Sequence, residues 1–510
     1  MTPPLLASEL AGSRLTPPAW ARSVDGPMGD VLVGSRLAPP ASFTVHQASS
    51  RAELDAYARL RRDVFVAEQG LFAGSDRDDL DDLDERIVLV AREVDGTVVG
   101  GVRLTPGVPG RDLAWWVGSR LVVAGDRRGS LHIGAALIGA ACARAEQEGA
   151  LRFDATVQAA RVPLFGRLGW TVGEAVTVAG TPHRRVRWPI GRVQRLVDAT
   201  KGPLGAVLEG LAPGGPGWVG DDAAPVPGSD LLAACDAIVP AMVARDPWWA
   251  GWCSVLVNAN DLAAMGATPV GLLDAIGAPT ASLATRAMAG MKAGAEAWGV
   301  PVLGGHTTLG VPASLAVTML GRTASPVPGG GGRVGDAVEV AADLGGRWRA
   351  GHTGRQWDST TSRSPEELRA LQQVVAQRAP HAAKDVSMTG LVGTLGMLAE
   401  ASGCGAELDL AAVPSPDGAG LADWLTCFPG FAMVMAVDPS TTSPAPTTAP
   451  SAGRSPLPAT TASCGRLTAG AGVAVRWPDG EVLRLVDGPV TNLGPAGGSP
   501  TSIAKAEPTP

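Results

Sequence analysis

The sequence predicts a multidomain α/β protein, and three observations carry that expectation. The chain has 510 residues, which suits about three or four domains of ~100 to 200 residues each. Two long stretches, from residue 43 to about 190 and from 218 to about 490, alternate strand-like runs with helical periodicity. Around them lie segments dense in Gly and Pro. The 67 glycines and 42 prolines make up about a fifth of the chain, against ~12% in average usage. With 45% hydrophobic and 18% charged residues, the composition supplies large cores and excludes wholesale disorder.

The net charge of -7 argues against a nucleic-acid binder, which normally carries a basic surplus. Six cysteines, with no CxxC pair, suggest neither a zinc site nor a disulfide framework, and a reducing cytoplasm fits them. The sequence contains no run of ~20 uninterrupted apolar residues, so the expectation is a soluble cytoplasmic protein without a membrane partner.

In chain order, residues 1–42 read as a flexible leader. RAELDAYARLRRDVFVAEQ (51–69) puts Leu54, Tyr57, Ala58, Val64 and Phe65 at helical spacings. RIVLVAREV and TVVGGVRLT flank Asp95-Gly96, a favoured tight-turn pair. LAWWVGSRLVVA reads as a strand, IGAALIGAACARAEQE as a helix closed by Gly149, and LRFDATV as another strand. Residues 191–217, ending in LAPGGPG, read as a linker and hinge. A second unit (218–325) carries a strand before Asp236, a helix at 249–265, the strand VGLLDAI, a helix at 281–298 and two further strands. PVPGGGG (326–332) separates it from a third unit (333–495), in which 438–465 reads as a disordered Ser/Thr/Pro insertion. A tail occupies 496–510.

GDRRGSLHIG lies between a strand and a helix start, where free N–H groups, the dipole and two arginines suit a pyrophosphate. The element order over 43–190 resembles the GNAT acyltransferase superfamily. RRDVFVAEQGLF is similar to the opening of acyltransferases related to acyl-homoserine-lactone synthases, and LFGRLGW to the end of the family's last helix. The resemblance implies a GNAT α/β fold with acyl-CoA, acetyl-CoA above all, as co-substrate. It places Val122, Val123, Arg127, Arg128, Gly129, Ile133 and Gly134 at the CoA turn. The turn departs from the R-G-x-G-I-G pattern, since Ser130, Leu131 and His132 separate Gly129 from Ile133. The family's frequent acid is a tyrosine, but the one tyrosine here, Tyr57, sits in the first helix. Glu68, Asp84 and Glu85 are candidate bases; most of the seven carboxylates of DRDDLDDLDE (76–85) read as a solvated loop.

Beyond the hinge, GWVGDDAAPVP pairs carboxylates in a Gly-led turn, Asp236 follows LLAAC, and VLVNANDLAAMGATP spaces Asn258 and Asp261 three apart, on one helical face. Hard oxygen ligands drawn from separate segments are what Mg2+ needs when it also holds phosphates. GDDAA, NANDLAAMGATP, LGGHTT and KDVSMTGLVGTLG resemble the superfamily of aminoimidazole ribonucleotide synthetase, thiamine-monophosphate kinase and selenophosphate synthetase. The resemblance implies a two-domain α/β fold, a homodimer, and ATP with Mg2+ in a groove. It assigns Asp221, Asp222, Asp236, Asp261 and Asp385 to the metal, and Asn258, Gly304, Gly305, His306 and Thr307 to the nucleotide. The segment leading into Gly220 has no cysteine, and Lys201 in ATKGPLG is the one lysine near a Gly-rich loop, which argues against selenophosphate synthesis. PWWAGWCSV (247–255) reads as packing.

Together these motifs predict a bifunctional enzyme: an acyl-CoA-dependent N-acyltransferase fused to an ATP/Mg2+-dependent synthetase or kinase-like unit acting on a small metabolite. The fusion resembles a bacterial family found beside nitrilases. The competing expectation makes the ATP-binding half a non-catalytic module that regulates the acyltransferase.

Overall fold

The computed structural model describes residues 43–129, 132–441 and 458–497, in two compact units. The leader, the middle of the expected insertion and most of the tail lie outside the described residues.

The first unit covers 43–105, 117–145 and 154–188. After β1 (Phe43–Gln47), Ser50 caps α1 (Arg51–Arg61) in a reciprocal box with Glu53. The helix expected over 51–69 then widens into a π-helical turn, Arg62–Glu68, in which the Gln69 amide bonds the Val64 carbonyl. β2 (Ile87–Glu93) and β3 (Val98–Pro106) form the hairpin about Asp95-Gly96, with Gly96 at φ +92°. β4 (Trp115–Val123), α2 (Ile133–Gln147), β5 (Arg152–Gln158), β6 (Thr171–Val178) and β7 (Thr181–Trp188) follow. The seven strands line up as β1-β2-β3-β4-β5-β7-β6. Tyr57, Val64 and Phe65 bury the apolar stripe of the first helical segment against Val88, Val90 and Val122.

The second unit takes in 106–116, 146–153 and 189–497, so the ends of β3, β4 and β5 belong to it. The Trp477 indole donates to the Leu113 carbonyl at 3.0 Å. Residues 191–217 are not an open hinge. They begin with α3 (Arg192–Thr200), whose Val193 and Val197 enter a core with Leu391 and Leu395, and the Gly205 amide bonds the Thr491 carbonyl at 2.8 Å.

β8 (Ala224–Pro225), β9 (Leu231–Ile238), β10 (Thr268–Ala278), β11 (Val302–Leu309) and β12 (Ser314–Arg322) form a sheet ordered β11-β10-β12-β9-β8. α4 (Pro247–Ala264) packs on it and on α5 (Ala281–Trp298). The two helices approach so closely that a Cβ at Gly290 would lie 1.8 Å from the Trp248 carbonyl oxygen. Trp249 and Trp252 are buried, with their indoles donating to Gln356 and Thr360, so the tryptophan cluster packs as expected.

The remaining strands are β13 (Ala337–Ala342), the small pair β14 (Arg347–Trp348) and β15 (Trp357–Asp358), β16 (Ala382–Asp385), β17 (Gly405–Asp409), β18 (Ala432–Val437), β19 (Thr460–Thr468), β20 (Val473–Arg476) and β21 (Val482–Val486). Seven of them make a sheet ordered β16-β18-β13-β19-β17-β20-β21, with α6 (Gly390–Ala401) packed on it. The insertion expected over 438–465 is therefore too long at its C-terminal end: Thr460–Thr468 is a strand between β13 and β17, and its Cys464 is buried. The connector glycines are also packed. A Cβ at Gly331 would lie 2.1 Å from the His381 carbonyl oxygen, and one at Gly330 would lie 2.6 Å from that of Ala401.

All six cysteines are free thiols. Among the described residues no helix is long and apolar enough to cross a membrane.

Candidate metal and nucleotide site

Asp222, Asp261 and Asp385 each offer a carboxylate oxygen within 4.8 Å of the other two. They arrive from three elements: the turn after Gly220, the last turn of α4 and the end of β16. Gly220 takes φ +78°, a left-handed conformation that favours glycine, and this aims the turn. Asp236, on β9, shares a hydrogen bond with Asp261. Burial pushes the Asp261 and Asp385 carboxyls well above the ordinary carboxylate range, and the neighbouring aspartates push them further. A hard divalent cation would relieve that crowding, and the all-oxygen donor set suits Mg2+.

Asp222 is held at both oxygens. The Lys384 ammonium donates to Oδ1 at 2.9 Å and to the Gly220 carbonyl at 2.6 Å, while the Asp385 amide donates to Oδ2 at 3.1 Å. Asp221 lies outside the three-carboxylate cluster, by Gly329 and Lys384. The Gly329 amide approaches its carboxylate without the geometry of a full hydrogen bond, and both oxygens are closed to solvent. Burial pushes Asp221 up to about 6, opposed by the Lys384 charge. Lys201, from the Gly-flanked segment before this unit's first sheet, acts on Asp236 and Asp385 through its charge.

Asn258 is fully buried on α4. Its amide nitrogen bonds the Ser254 carbonyl at 2.9 Å, and its Oδ1 has no donor. Gly304, Gly305, His306 and Thr307 lie on β11, the largely exposed edge strand. The reason for Gly305 is visible there: a Cβ would lie 2.0 Å from Asp274 Oδ1 on the neighbouring β10. Asp274 has a buried, unpartnered Oδ2, and burial raises its carboxyl.

In the first unit both arginines of the turn expected to hold CoA are engaged within the protein. Arg127 pairs with Glu93 at 2.7 Å, and Arg128 forks onto Glu68 while also bonding the Val123 carbonyl. The Arg128 hydrogen bond lowers Glu68, which weakens it as a base. Gly129 has φ +84° and open space where a Cβ would project, and Gly134 likewise meets nothing closer than 3.8 Å. Val122 and Ile133 are core residues. Ser130 and Leu131 lie outside the described residues. Tyr57 is buried, with its hydroxyl donating to the Arg120 carbonyl at 2.7 Å.

The acidic run is not a uniformly solvated loop. Arg61 forks onto Asp81 at 2.6 and 2.9 Å and bonds Asp76 at 2.6 Å. Arg103 and Arg120 both hold Asp78. Asp84 and Glu85 are exposed, and Asp84 lines a cavity of about 400 Å³ with Asp55, Asp82, Arg51 and Arg77.

Residues 220–323 match the AIR synthase related protein N-terminal domain, and 328–475 match its C-terminal domain. An uncharacterized Synechocystis protein, sll0787, is 37% identical over 228 residues, covering 43% of this chain and 70% of that protein. The chain belongs to the AIR synthase related family. A thiamine-monophosphate kinase of Methanospirillum hungatei is 33% identical over 174 residues, 33% of this chain and 59% of that enzyme. The crystal structure of the Aquifex aeolicus thiamine-monophosphate kinase aligns over 52% of this chain and 92% of its own, at 20% identity and TM-score 0.39.

Within this AIR synthase related portion, two side chains were missed by motif reading. Asp274 sits in a strand that otherwise reads as apolar, and its signal is Gly305 on the neighbouring strand, which makes room for it. Lys384 opens the KDVSMTGLVGTLG motif, which gives it no role. Its signal is scarcity, since it is one of only four lysines in the chain.

Proposed function

We propose that residues 218–495 form an ATP- and Mg2+-dependent phosphoryl-transfer unit acting on a small metabolite, and that residues 43–190 form an acyl-CoA-dependent N-acyltransferase. The convergence of Asp222, Asp261 and Asp385 carries the first half. Bound there, Mg2+ would neutralise phosphate charge and fix its orientation. The chain's own residues prepare that place: Lys384 and the Asp385 amide fix Asp222, and α4 presents Asp261 and Asn258 from a rigid, buried helix. Phosphoryl transfer also accords with the named activity of the kinase relatives.

Exposed Leu273, Val302, Leu303 and Leu309 on β10 and the unpaired edge strand β11 support a homodimer formed through this half. For the first half, the support is the start of α2 beside Gly129 and Gly134, neither of whose Cβ positions is crowded. In the transfer, the amine nitrogen bonds the thioester carbonyl carbon, the C–S bond breaks, the thiolate leaves, and the amine proton passes to a base. Asp84, exposed at the cavity and not tied up by an arginine fork as Glu68 is, suits that role better.

The test is Mg2+-dependent ADP release across amine, acid and nitrile-derived metabolites, comparing the wild type with Asp222→Asn/Asp261→Asn. Tight ATP binding with no turnover on any of them would favour a regulatory module. For the acyltransferase, Gly129→Glu should abolish CoA binding; unchanged affinity would sink that half.

A further inference from the structure

Lys384 is 1% exposed and lies on β16, whose four residues are all buried. Burying an ammonium costs several kcal/mol unless its partners repay it, so its surroundings specify what it is for. Those surroundings are oxygen: the Gly220 carbonyl at 2.6 Å and Asp222 Oδ1 at 2.9 Å. The Asp221 carboxylate, closed to solvent and without a full hydrogen bond, lies across the space left by Gly329. A Cβ on that glycine would fall 2.7 Å from Asp221 Oδ1 and 3.0 Å from Lys384 Nζ. One carbonyl and two carboxylates are the donor set a hard cation takes. Here a side-chain cation stands among them, bonded to the carbonyl and to Asp222 with Asp221 beyond ion-pair distance, and it shares Asp222 with the three-carboxylate cluster.

We propose that the Lys384 ammonium is a built-in cation that occupies the Gly220–Asp221–Asp222 position in place of a divalent ion, and so confines divalent binding to Asp222, Asp261 and Asp385. The inference rests on the metal reading of that cluster. Its consequence is a site whose charge is partly balanced before any ion arrives, with Asp222 held for one neighbour by the other. Lys384 acts through Asp222 and is a positioning residue.

The experiment counts Mn2+ bound per full-length chain, by electron paramagnetic resonance of free Mn2+ and by calorimetry, without turnover. Lys384→Met should bind about one more Mn2+ per chain than wild type, because the vacated position keeps its oxygen donors. Lys384→Met/Asp221→Asn should return to the wild-type number, because that position then lacks a carboxylate. Lys384→Gln keeps a donor to Gly220 without the charge, and serves if the methionine variant does not fold. Equal, non-zero Mn2+ numbers in wild type and variant would overturn the proposal while leaving the metal cluster intact. Loss of binding in Lys384→Met that Lys384→Arg restores would also overturn it, since Lys384 would then only order Asp222. No Mn2+ on any of the proteins would overturn both readings.

Discussion

The carboxylates of Asp76, Asp78 and Asp81 and those of the Asp222–Asp261–Asp385 cluster are all at least partly withdrawn from water, yet they are held in opposite ways. Asp76 and Asp81 lie against Arg61, and Asp78 against Arg103 and Arg120, so each charge is answered by a guanidinium. In the cluster, Asp261 and Asp385 have other aspartates as their main charged neighbours, with Lys384 and Lys201 the cations acting there. The first arrangement is complete without a ligand. The second is short of positive charge, which is the physical content of calling it a site.

The largest expected effect comes from breaking the complete arrangement. Arg61→Met takes the forked cation from Asp76 and Asp81, leaving them only Arg120 and Arg103, and should cost about 3 kcal/mol in urea unfolding. The pH dependence should weaken as well. Burial raises Asp81, but the Arg61 hydrogen bond and the charges of Arg103 and Arg61 outweigh it and hold the carboxyl below its ordinary value near 3.8. A lowered folded value means stability that is present above the ordinary value and is lost as pH falls through the folded one. In Arg61→Met burial weighs against fewer cations, so the variant should lose less stability than wild type over a window of about pH 5 to 3. An Arg61→Met loss under about 1 kcal/mol would mean that the network is not what stabilises this unit.

The cluster should respond with the opposite sign. Asp261→Asn removes a crowded carboxylate and should raise the unfolding free energy of the ligand-free protein, read in urea, by on the order of 1 kcal/mol. It should also abolish the gain from Mg2+, which for wild type is about 2.7 kcal/mol at 100 times Kd. Destabilisation of the ligand-free protein by Asp261→Asn would show that the cluster, too, is built for structure.

Gly305→Ala probes the contact that joins the expected nucleotide strand to Asp274. The added methyl would meet Asp274 Oδ1, so displacement of that carboxylate should cost about 1–3 kcal/mol and weaken ATP binding in calorimetry. A stability loss with unchanged ATP affinity would make Gly305 a packing residue alone.

Much of this was legible in the chain. The strand and helix order followed from period and turn chemistry, and the aspartates that cluster stood in recognisable local motifs. What was hidden depends on long-range contact. Lys384 meets Asp222 across 162 positions, and nothing local distinguishes a buried lysine from a solvated one. The run at 76–85 looks solvated because its density of charge is local, while the arginines that bury it come from 61, 103 and 120. The glycines at 329–332 look like spacer for the same reason: the backbone and side chains pressed against them belong to distant segments. The strand at 460–468 was overlooked because its Thr- and Ser-rich start continues the composition of the segment before it.

The smallest expected effect sharpens the comparison within the acidic run itself. Asp82 is next to Asp81 in sequence and pairs with Arg77 at 2.8 Å, but the two side chains are 74% and 64% exposed. In water such a pair gains little, because solvent screens the attraction and both side chains lose rotamer freedom in forming it. Asp82→Asn should therefore change urea stability by less than about 0.5 kcal/mol, with no new pH dependence. Asp82 also lines the cavity that holds Asp84, so on the proposed acyl-transfer reading its neutralisation should alter acceptor KM while stability stays fixed. A stability change in Asp82→Asn approaching that of Arg61→Met would mean that burial is not what divides these neighbours, and the distinction between answered and unanswered carboxylates would lose its physical basis.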